Sequence, residues 1–237
     1  MAAPIDLGAV RGVLFDKDGT LLDYHATWMP ANRAVASHLA DGDEALAEAL
    51  LVRGGWLADS DRVGAGTPLA AGDLTDIVAA WADLLPRHLL ADRDRLIADI
   101  DRLFIANCVP TPVCDLGLLL DGLKGRGLAL GVATADSEAG ARASLTPFGV
   151  LQRLDFLSGY DSGHGCKPGP GQVQGFCAAT GLSPADVLVI GDNIHDIQMA
   201  RSAGAAQAIG VLTGTSHRAD LEAAADAVFD DIRFLLS

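Results

Sequence analysis

Short apolar runs punctuate this chain, and nearly all of them stop at a polar cluster. Gly12 to Phe15, Leu128 to Ala133, Leu154 to Leu157, Val187 to Ile190 and Ala206 to Val211 read as strands. From about Gly127 onward these runs alternate with helical segments, which predicts parallel strands joined by helical crossovers. Asp136 is expected to cap the helical segment that Gly149 closes, and Gly181-Leu182-Ser183-Pro184 is a helix stop and turn before the next strand. The first run, Gly12 to Phe15, is assigned to the same sheet.

Between Tyr24 and about Val109 the pattern changes. No β-branched alternating run occurs there, and amphipathic stretches are separated by glycine. Thr27 or Asp43 is expected to cap the first two helices, Gly54-Gly55 to end the second, and Asp73 and Asp92 to open two more. Leu96, Ile100, Leu103 and Phe104 are spaced to face inward. The expectation is an all-helical insertion over 24–109 in a core formed by 1–23 and 110–237, with Pro110-Thr111-Pro112 as the return hinge. Because the insertion starts directly after an acidic turn, it is read as a lid over a site.

The chain has 237 residues, half of them hydrophobic, so a large core and a compact fold are expected. Its formal charge of −14 repels nucleic acid and anionic membrane at long range, and neither is expected as a partner. An anionic ligand would therefore need a local positive field from a metal, a lysine or helix amino termini. Cys108, Cys114, Cys166 and Cys177 form no C-x-x-C pair and have no histidine at zinc-site spacing, which argues against a metal finger or a redox dithiol. Met1 to Asp6 lacks a basic start and an apolar segment, and no uncharged apolar stretch is long enough for a bilayer. A cytoplasmic protein with reduced thiols is expected.

Four clusters at strand ends carry candidate chemistry. Asp16 and Asp18 stand two residues apart in Phe15-Asp16-Lys17-Asp18-Gly19-Thr20-Leu21, at the exit of the first strand. Two close carboxylates disfavour joint ionisation unless a cation lies between them, and Mg²⁺ would remove that cost. Thr134 ends the run Leu128 to Ala133 and offers a hydroxyl to an oxyanion. Lys167, in Gly165-Cys166-Lys167-Pro168-Gly169-Pro170-Gly171, lies in a loop stiffened by two prolines, so its ammonium can be aimed. Asp192 and Asp196 follow the run Val187 to Ile190, and hard oxygen ligands of this kind suit Mg²⁺ rather than zinc. Each cluster alone has a plain structural explanation: an acidic turn, a helix cap, a solvated lysine, or carboxylates complementing a helix amino terminus. Their coincidence at four strand ends is what carries weight, because open α/β sheets bind ligands at the carboxyl ends of their strands.

In this order, D-x-D-G-T, a strand-terminal Thr, Lys-Pro and G-D-x-x-x-D resemble the haloacid-dehalogenase-like hydrolase superfamily, over nearly the whole chain. Phe15 to Leu21, the early helical insertion, Lys167-Pro168-Gly169-Pro170 and Gly191-Asp192 resemble its phosphoglycolate-phosphatase-like branch. Lys17 stands where that branch usually has an apolar residue, and Thr134-Ala135 replaces the commoner Thr-Asn. The resemblance implies an α/β fold, with a Rossmann-like parallel sheet in three α/β/α layers and an inserted all-helical cap. It also implies a Mg²⁺-dependent phosphatase acting on a small phosphorylated metabolite, phosphoglycolate-like or a sugar phosphate, through an aspartyl-phosphate on Asp16. By the same resemblance Asp18 is the acid and base, and Mg²⁺ is held by Asp16, the Asp18 main-chain carbonyl and Asp192. Thr134 and Lys167 bind phosphoryl oxygens, Asp196 orients Lys167 or a metal-bound water, and Gly19 and Thr20 shape the turn. A phosphomutase of the same superfamily and a phospho-accepting Mg²⁺-binding switch are the alternatives, and oligomeric state is left open.

Overall fold

The computed structural model describes residues 8–236, so the segment Met1 to Asp6 lies outside the described residues. The chain divides into two compact units, one of Met1–Asp23 and Pro112–Ser237, the other of Tyr24–Thr111. Strand β1 (Gly12–Phe15) belongs to the first.

The Tyr24–Thr111 unit is built from α1 (Tyr24–Ala40), α2 (Glu44–Gly54), α3 (Pro68–Ala71), α4 (Leu74–Trp81) and α5 (Arg93–Asn107). Asp43, Asp73 and Asp92 cap α2, α4 and α5, each accepting a backbone N–H with a side-chain oxygen, and Gly55 ends α2 in the left-handed region at φ 110°. Thr27 caps nothing. The first helix begins three residues earlier, and Thr27 lies buried within it, its Oγ1 accepting from Thr111 N at 3.1 Å. Val35, Leu50, Trp81, Ile100 and Phe104 fill this unit's core, and Trp81 Nε1 satisfies its buried donor on Leu50 O at 2.8 Å. The unit is not wholly helical. Strands β2 (Trp56–Leu57) and β3 (Arg62–Val63) form an antiparallel ribbon, too short to leave an alternating pattern in the sequence. Arg33 lies over the Trp56 ring, 5.3 Å from its centroid, and pairs with Asp61.

In the other unit, α6 (Leu116–Gly125), β4 (Ala129–Ala133), α7 (Glu138–Leu145), β5 (Phe156–Ser158), α8 (Gly171–Thr180), β6 (Val187–Gly191), α9 (Ile194–Ala203), β7 (Gln207–Val211), α10 (Arg218–Glu222) and β8 (Ala227–Phe229) follow β1. Six parallel strands form one sheet in the order β5-β4-β1-β6-β7-β8. Alternate residues of each strand enter different cores. Val13, Phe15, Val132, Leu188 and Ile190 pack with α6 residues such as Leu119 and Leu120, whereas Leu14, Val187 and Val189 pack with Phe176 of α8 and Ile197 of α9. The sheet is thus covered on both faces, which is why its central strands read as unbroken apolar runs. Each of these side chains contributes roughly 1.5–3 kcal/mol by leaving water.

Two readings of this unit are corrected, and one strand escapes the sequence pattern. Ser137, not Asp136, caps α7, because the Ser137 hydroxyl accepts from Gly140 N at 3.0 Å while Asp136 Oδ1 accepts from Ser137 N at 2.7 Å. Strand β5 starts two residues later than Leu154, since a 3₁₀ turn over Leu151–Arg153 precedes it. Strand β8, three residues long, left no signal long enough to read. Cys108, Cys114, Cys166 and Cys177 are all free thiols, and among the described residues no helix is long and apolar enough to cross a membrane.

Candidate active site

Parallel register brings the strand ends together. Phe15 is level with Val132 of β4 on one side and with Ile190 of β6 on the other, so Asp16, Thr134 and Asp192 all emerge at the carboxyl edge of adjacent strands. The chain proceeds outward from β1 in both directions, to β4 and β5 on one side and to β6, β7 and β8 on the other. The site therefore lies at the topological switch point, where an open sheet leaves a crevice. Asp16 is anchored there by its N–H, which donates to Ile190 O at 2.8 Å. The turn after it is closed by Leu21 N and Leu22 N, each donating to Lys17 O at 3.0 Å, and Gly19 takes φ 90°. A side chain at Gly19 would place Cβ 2.5 Å from the Asp192 carboxylate carbon, so only glycine lets the turn approach that group.

Around Asp16 the charges are tightly arranged. Lys167 Nζ donates to Asp16 Oδ1 at 2.6 Å and lies 2.6 Å from Asp196 Oδ1. One carboxylate oxygen from each of Asp16, Asp192 and Asp196 lies within 4.8 Å of the others, and all three residues are buried. Asp196 Oδ2 accepts from Asn193 N at 3.0 Å at the start of α9, and Asp192 Oδ2 accepts from Thr215 N at 2.9 Å. Asp16 Oδ2 is buried with no hydrogen-bond partner.

Burial pushes the Asp16 carboxyl from 3.8 up to about 7, with Asp196 and Asp18 acting in the same direction and Lys167 opposing. Asp192 is raised well above the usual carboxylate range, by burial first and then by Asp16 and Asp196. Burial also works against the Lys167 ammonium, but Asp16 and Asp196 outweigh it and its pKa is raised. Three carboxylates thus face one ammonium, leaving two negative charges without a partner when all are ionised. A divalent cation with hard oxygen preference fits that deficit, and the bare Asp16 Oδ2 is a ready ligand atom.

The other expected site residues lie on the same edge. Thr134 is buried, its Oγ1 accepting from Asp136 N at 3.1 Å and its carbonyl accepting from Gln172 Nε2 at 3.0 Å. Thr20 is fully buried. Asp18 is not in the three-carboxylate cluster: its Oδ2 is 2.6 Å from Lys17 Nζ, and Lys17 in turn lies 3.1 Å from Asp136 Oδ2. His195 of α9 is only partly buried, with its N–H on Asn193 Oδ1.

Sequence reading left several residues out. The loop Thr213-Gly214-Thr215 after β7 supports Asp192 and the turn: Thr213 Oγ1 donates to Gly19 O at 2.6 Å, and a Cβ at Gly214 would stand 1.7 Å from Asp192 Oδ2. The signal was available, since this small polar loop follows an apolar run as the other four clusters do. In sequence Lys17 is only an unusual substitution and Asp136 a helix cap.

The chain is similar to known proteins over most of its length. The family model described as haloacid dehalogenase-like hydrolase matches residues 10–204. A phosphoglycolate phosphatase of Rhodospirillum rubrum is 28% identical over 233 residues, spanning 95% of this chain and 89% of that protein. An N-acetylmuramic acid 6-phosphate phosphatase of Pseudomonas putida is 29% identical over 202 residues, spanning 82% and 80%. The fold is shared with a Haemophilus somnus structure described as a predicted phosphoglycolate phosphatase, with a TM-score of 0.72, 23% identity, and 96% and 97% of the two chains covered. The parallel sheet, the cluster at its switch point and a family match over most of the length lead to one conclusion: this chain belongs to the haloacid dehalogenase-like hydrolases.

Proposed function

We propose that the protein is a Mg²⁺-dependent phosphatase of small phosphate monoesters, using Asp16 as nucleophile and Asp18 as acid and base. The observation that carries this reading is the meeting, at the sheet's carboxyl edge, of Lys167 paired with Asp16 and Asp196 and of Asp192, whose carboxylate lies within 4.8 Å of both of theirs. Asp16 and Asp192 would hold the metal through their carboxylates and Asp18 through its main-chain carbonyl, with Asp196 close by. When bound, Mg²⁺ supplies positive charge that lets the carboxylates ionise together and offsets charge on the phosphoryl group.

Phosphate-monoester hydrolysis is very slow without catalysis, and positioning plus charge compensation supply most of the acceleration. A carboxylate oxygen of Asp16 attacks phosphorus, and the bond from phosphorus to the leaving oxygen breaks as Asp18 gives that oxygen a proton, releasing the alcohol. Asp18, now ionised, takes a proton from water as the water attacks phosphorus of the aspartyl-phosphate, which releases inorganic phosphate and regenerates Asp16. Thr134 and Lys167 bind the transferring oxygens, and Asp196 holds Lys167 in place.

Two relatives named above are phosphatases of small phosphorylated acids and sugars, so phosphoglycolate and sugar phosphates are the first substrates to assay. Release of inorganic phosphate is expected with Mg²⁺, and is expected to stop on chelation and in Asp16→Asn. Undiminished release by Asp16→Asn would overturn the reading, and an isomerised sugar phosphate without free phosphate would replace it with a mutase.

A further inference from the structure

Lys17 is a fully buried lysine wedged between two carboxylates, 2.6 Å from Asp18 Oδ2 and 3.1 Å from Asp136 Oδ2. Stability gives no reason for it. A buried ion triad is on balance no better than apolar packing of the same volume, and immobilising the lysine side chain costs conformational entropy. Its partners keep some exposure, with side chains 17% and 24% exposed, so the lysine is the most deeply buried member of the triad. What the triad does fix is geometry. Asp136 N donates to Thr134 Oγ1 at 3.1 Å, so an unbroken series of polar contacts runs from Thr134 through Asp136 and Lys17 to Asp18. It joins the exit of β1 to the exit of β4.

We infer that Lys17 is a positioning residue: anchored on Asp136, its buried ammonium holds the Asp18 carboxylate in the orientation needed to pass a proton to the leaving oxygen. The inference rests on the phosphatase reading and deepens it. A charge-assisted contact of 2.6 Å restricts the Asp18 side chain to rotamers that reach the Lys17 ammonium. The Lys17 ammonium pairs with Asp18 and Asp136, whereas Lys167 pairs with Asp16 and Asp196, so loss of Lys17 should spare phosphate binding and nucleophilic attack.

The test compares Lys17→Met with wild type on an alkyl phosphate, whose poor leaving group needs the proton, and on p-nitrophenyl phosphate, whose leaving group does not. The readout is kcat/KM, which reports formation of the phosphoenzyme and not its hydrolysis. A positioned general acid contributes about 10²-fold or more, so misplacing it should lower kcat/KM on the alkyl ester by about tenfold to a hundredfold and on the aryl ester by less than about threefold. The inhibition constant of inorganic phosphate should stay within about threefold, since ground-state binding is not touched. The double variant Lys17→Met/Asp136→Asn removes the stranded carboxylate. It carries the same test if the single variant folds poorly, and it should match the single variant because Asp136 acts only through Lys17. Equal losses on both esters, a tenfold weaker phosphate inhibition, or no loss at all would overturn the positioning role while leaving the phosphatase reading intact. A wild type without Mg²⁺-dependent phosphate release would overturn that reading and this inference together.

Discussion

Lys167 Nζ lies 2.6 Å from Asp16 Oδ1 although 151 positions separate them along the chain. The pair is buried and the lysine is shared with Asp196, so one ammonium restrains two carboxylates that would otherwise repel each other. Lys167→Ala should therefore weaken both phosphate binding and folding. Removing one partner of a buried ion pair costs roughly 3–5 kcal/mol, and thermal unfolding in metal-free buffer measures it. Added Mg²⁺ should recover part of the lost stability, because it replaces the missing positive charge.

Asp16 gives the metal-free protein a defined pH dependence. The unfolded chain titrates this carboxyl near 3.8 and the folded one near about 7, so the folded state binds the proton more tightly and its stability falls as pH rises between those values. Asp16→Asn should remove much of that slope. Above neutrality the variant should be more stable than wild type, by about 1–3 kcal/mol after allowance for the lost Lys167 contact, and the two should converge below about pH 4. Denaturant titrations across that range decide it; a wild type that gains stability toward alkaline pH would contradict the assignment.

Mg²⁺ should raise the melting temperature, since a ligand that binds only the folded state stabilises by about 2.7 kcal/mol at a hundredfold excess over Kd, or roughly 5–10 °C for a chain of this size. Asp192→Asn should abolish most of the shift. Unchanged melting of wild type across a Mg²⁺ titration would remove the metal from the site.

Asp18→Asn should keep the Mg²⁺-induced shift, because the proposed metal contact of residue 18 is its main-chain carbonyl. Its kcat/KM should fall about 10²-fold or more on alkyl phosphates and much less on aryl phosphates, the pattern of a lost general acid. Equal losses would reassign that role.

Gly214→Ala tests the packing around Asp192. The added methyl would begin 1.7 Å from Asp192 Oδ2, so the loop or the carboxylate must move. Overpacking of this kind costs about 1–3 kcal/mol, and Mg²⁺ affinity should drop with it, as isothermal titration would record. The control, Gly163→Ala in the exposed loop after β5, meets nothing within 4 Å and should leave Mg²⁺ affinity unchanged despite its strained φ of 82°.

Much of the architecture was legible because its signals are local. Gly12 to Phe15 and Val187 to Ile190 announce themselves as strands through continuous hydrophobicity, and both are strands. Asp43, Asp73 and Asp92 announce caps because a side-chain oxygen three residues before an open N–H satisfies it. Thr27 and Asp136 show the limit of the same rule. Each has the right chemistry for a cap, but α1 starts upstream of Thr27, and Ser137 stands one residue closer to the open amides of α7. The β2–β3 ribbon and β8 were too short for periodicity to register.

The chain's own order of residues determined that acidic, hydroxyl and basic groups would stand at the ends of strands, because the alternation of apolar runs with helices admits few parallel arrangements. Which of those groups meet was decided only by the tertiary structure. Register between β1, β4 and β6 set Asp16, Thr134 and Asp192 at one level, the crossovers brought Lys167 and Asp196 beside them, and β7 supplied Thr213 and Thr215. Lys17 is the clearest case. In sequence it is a charge where an apolar residue is usual, and only folding shows that Asp136, more than a hundred residues away, makes its burial tolerable by pairing with it. Local propensity acts over a few residues, whereas pairing between charges depends on distances in space that the sequence does not contain.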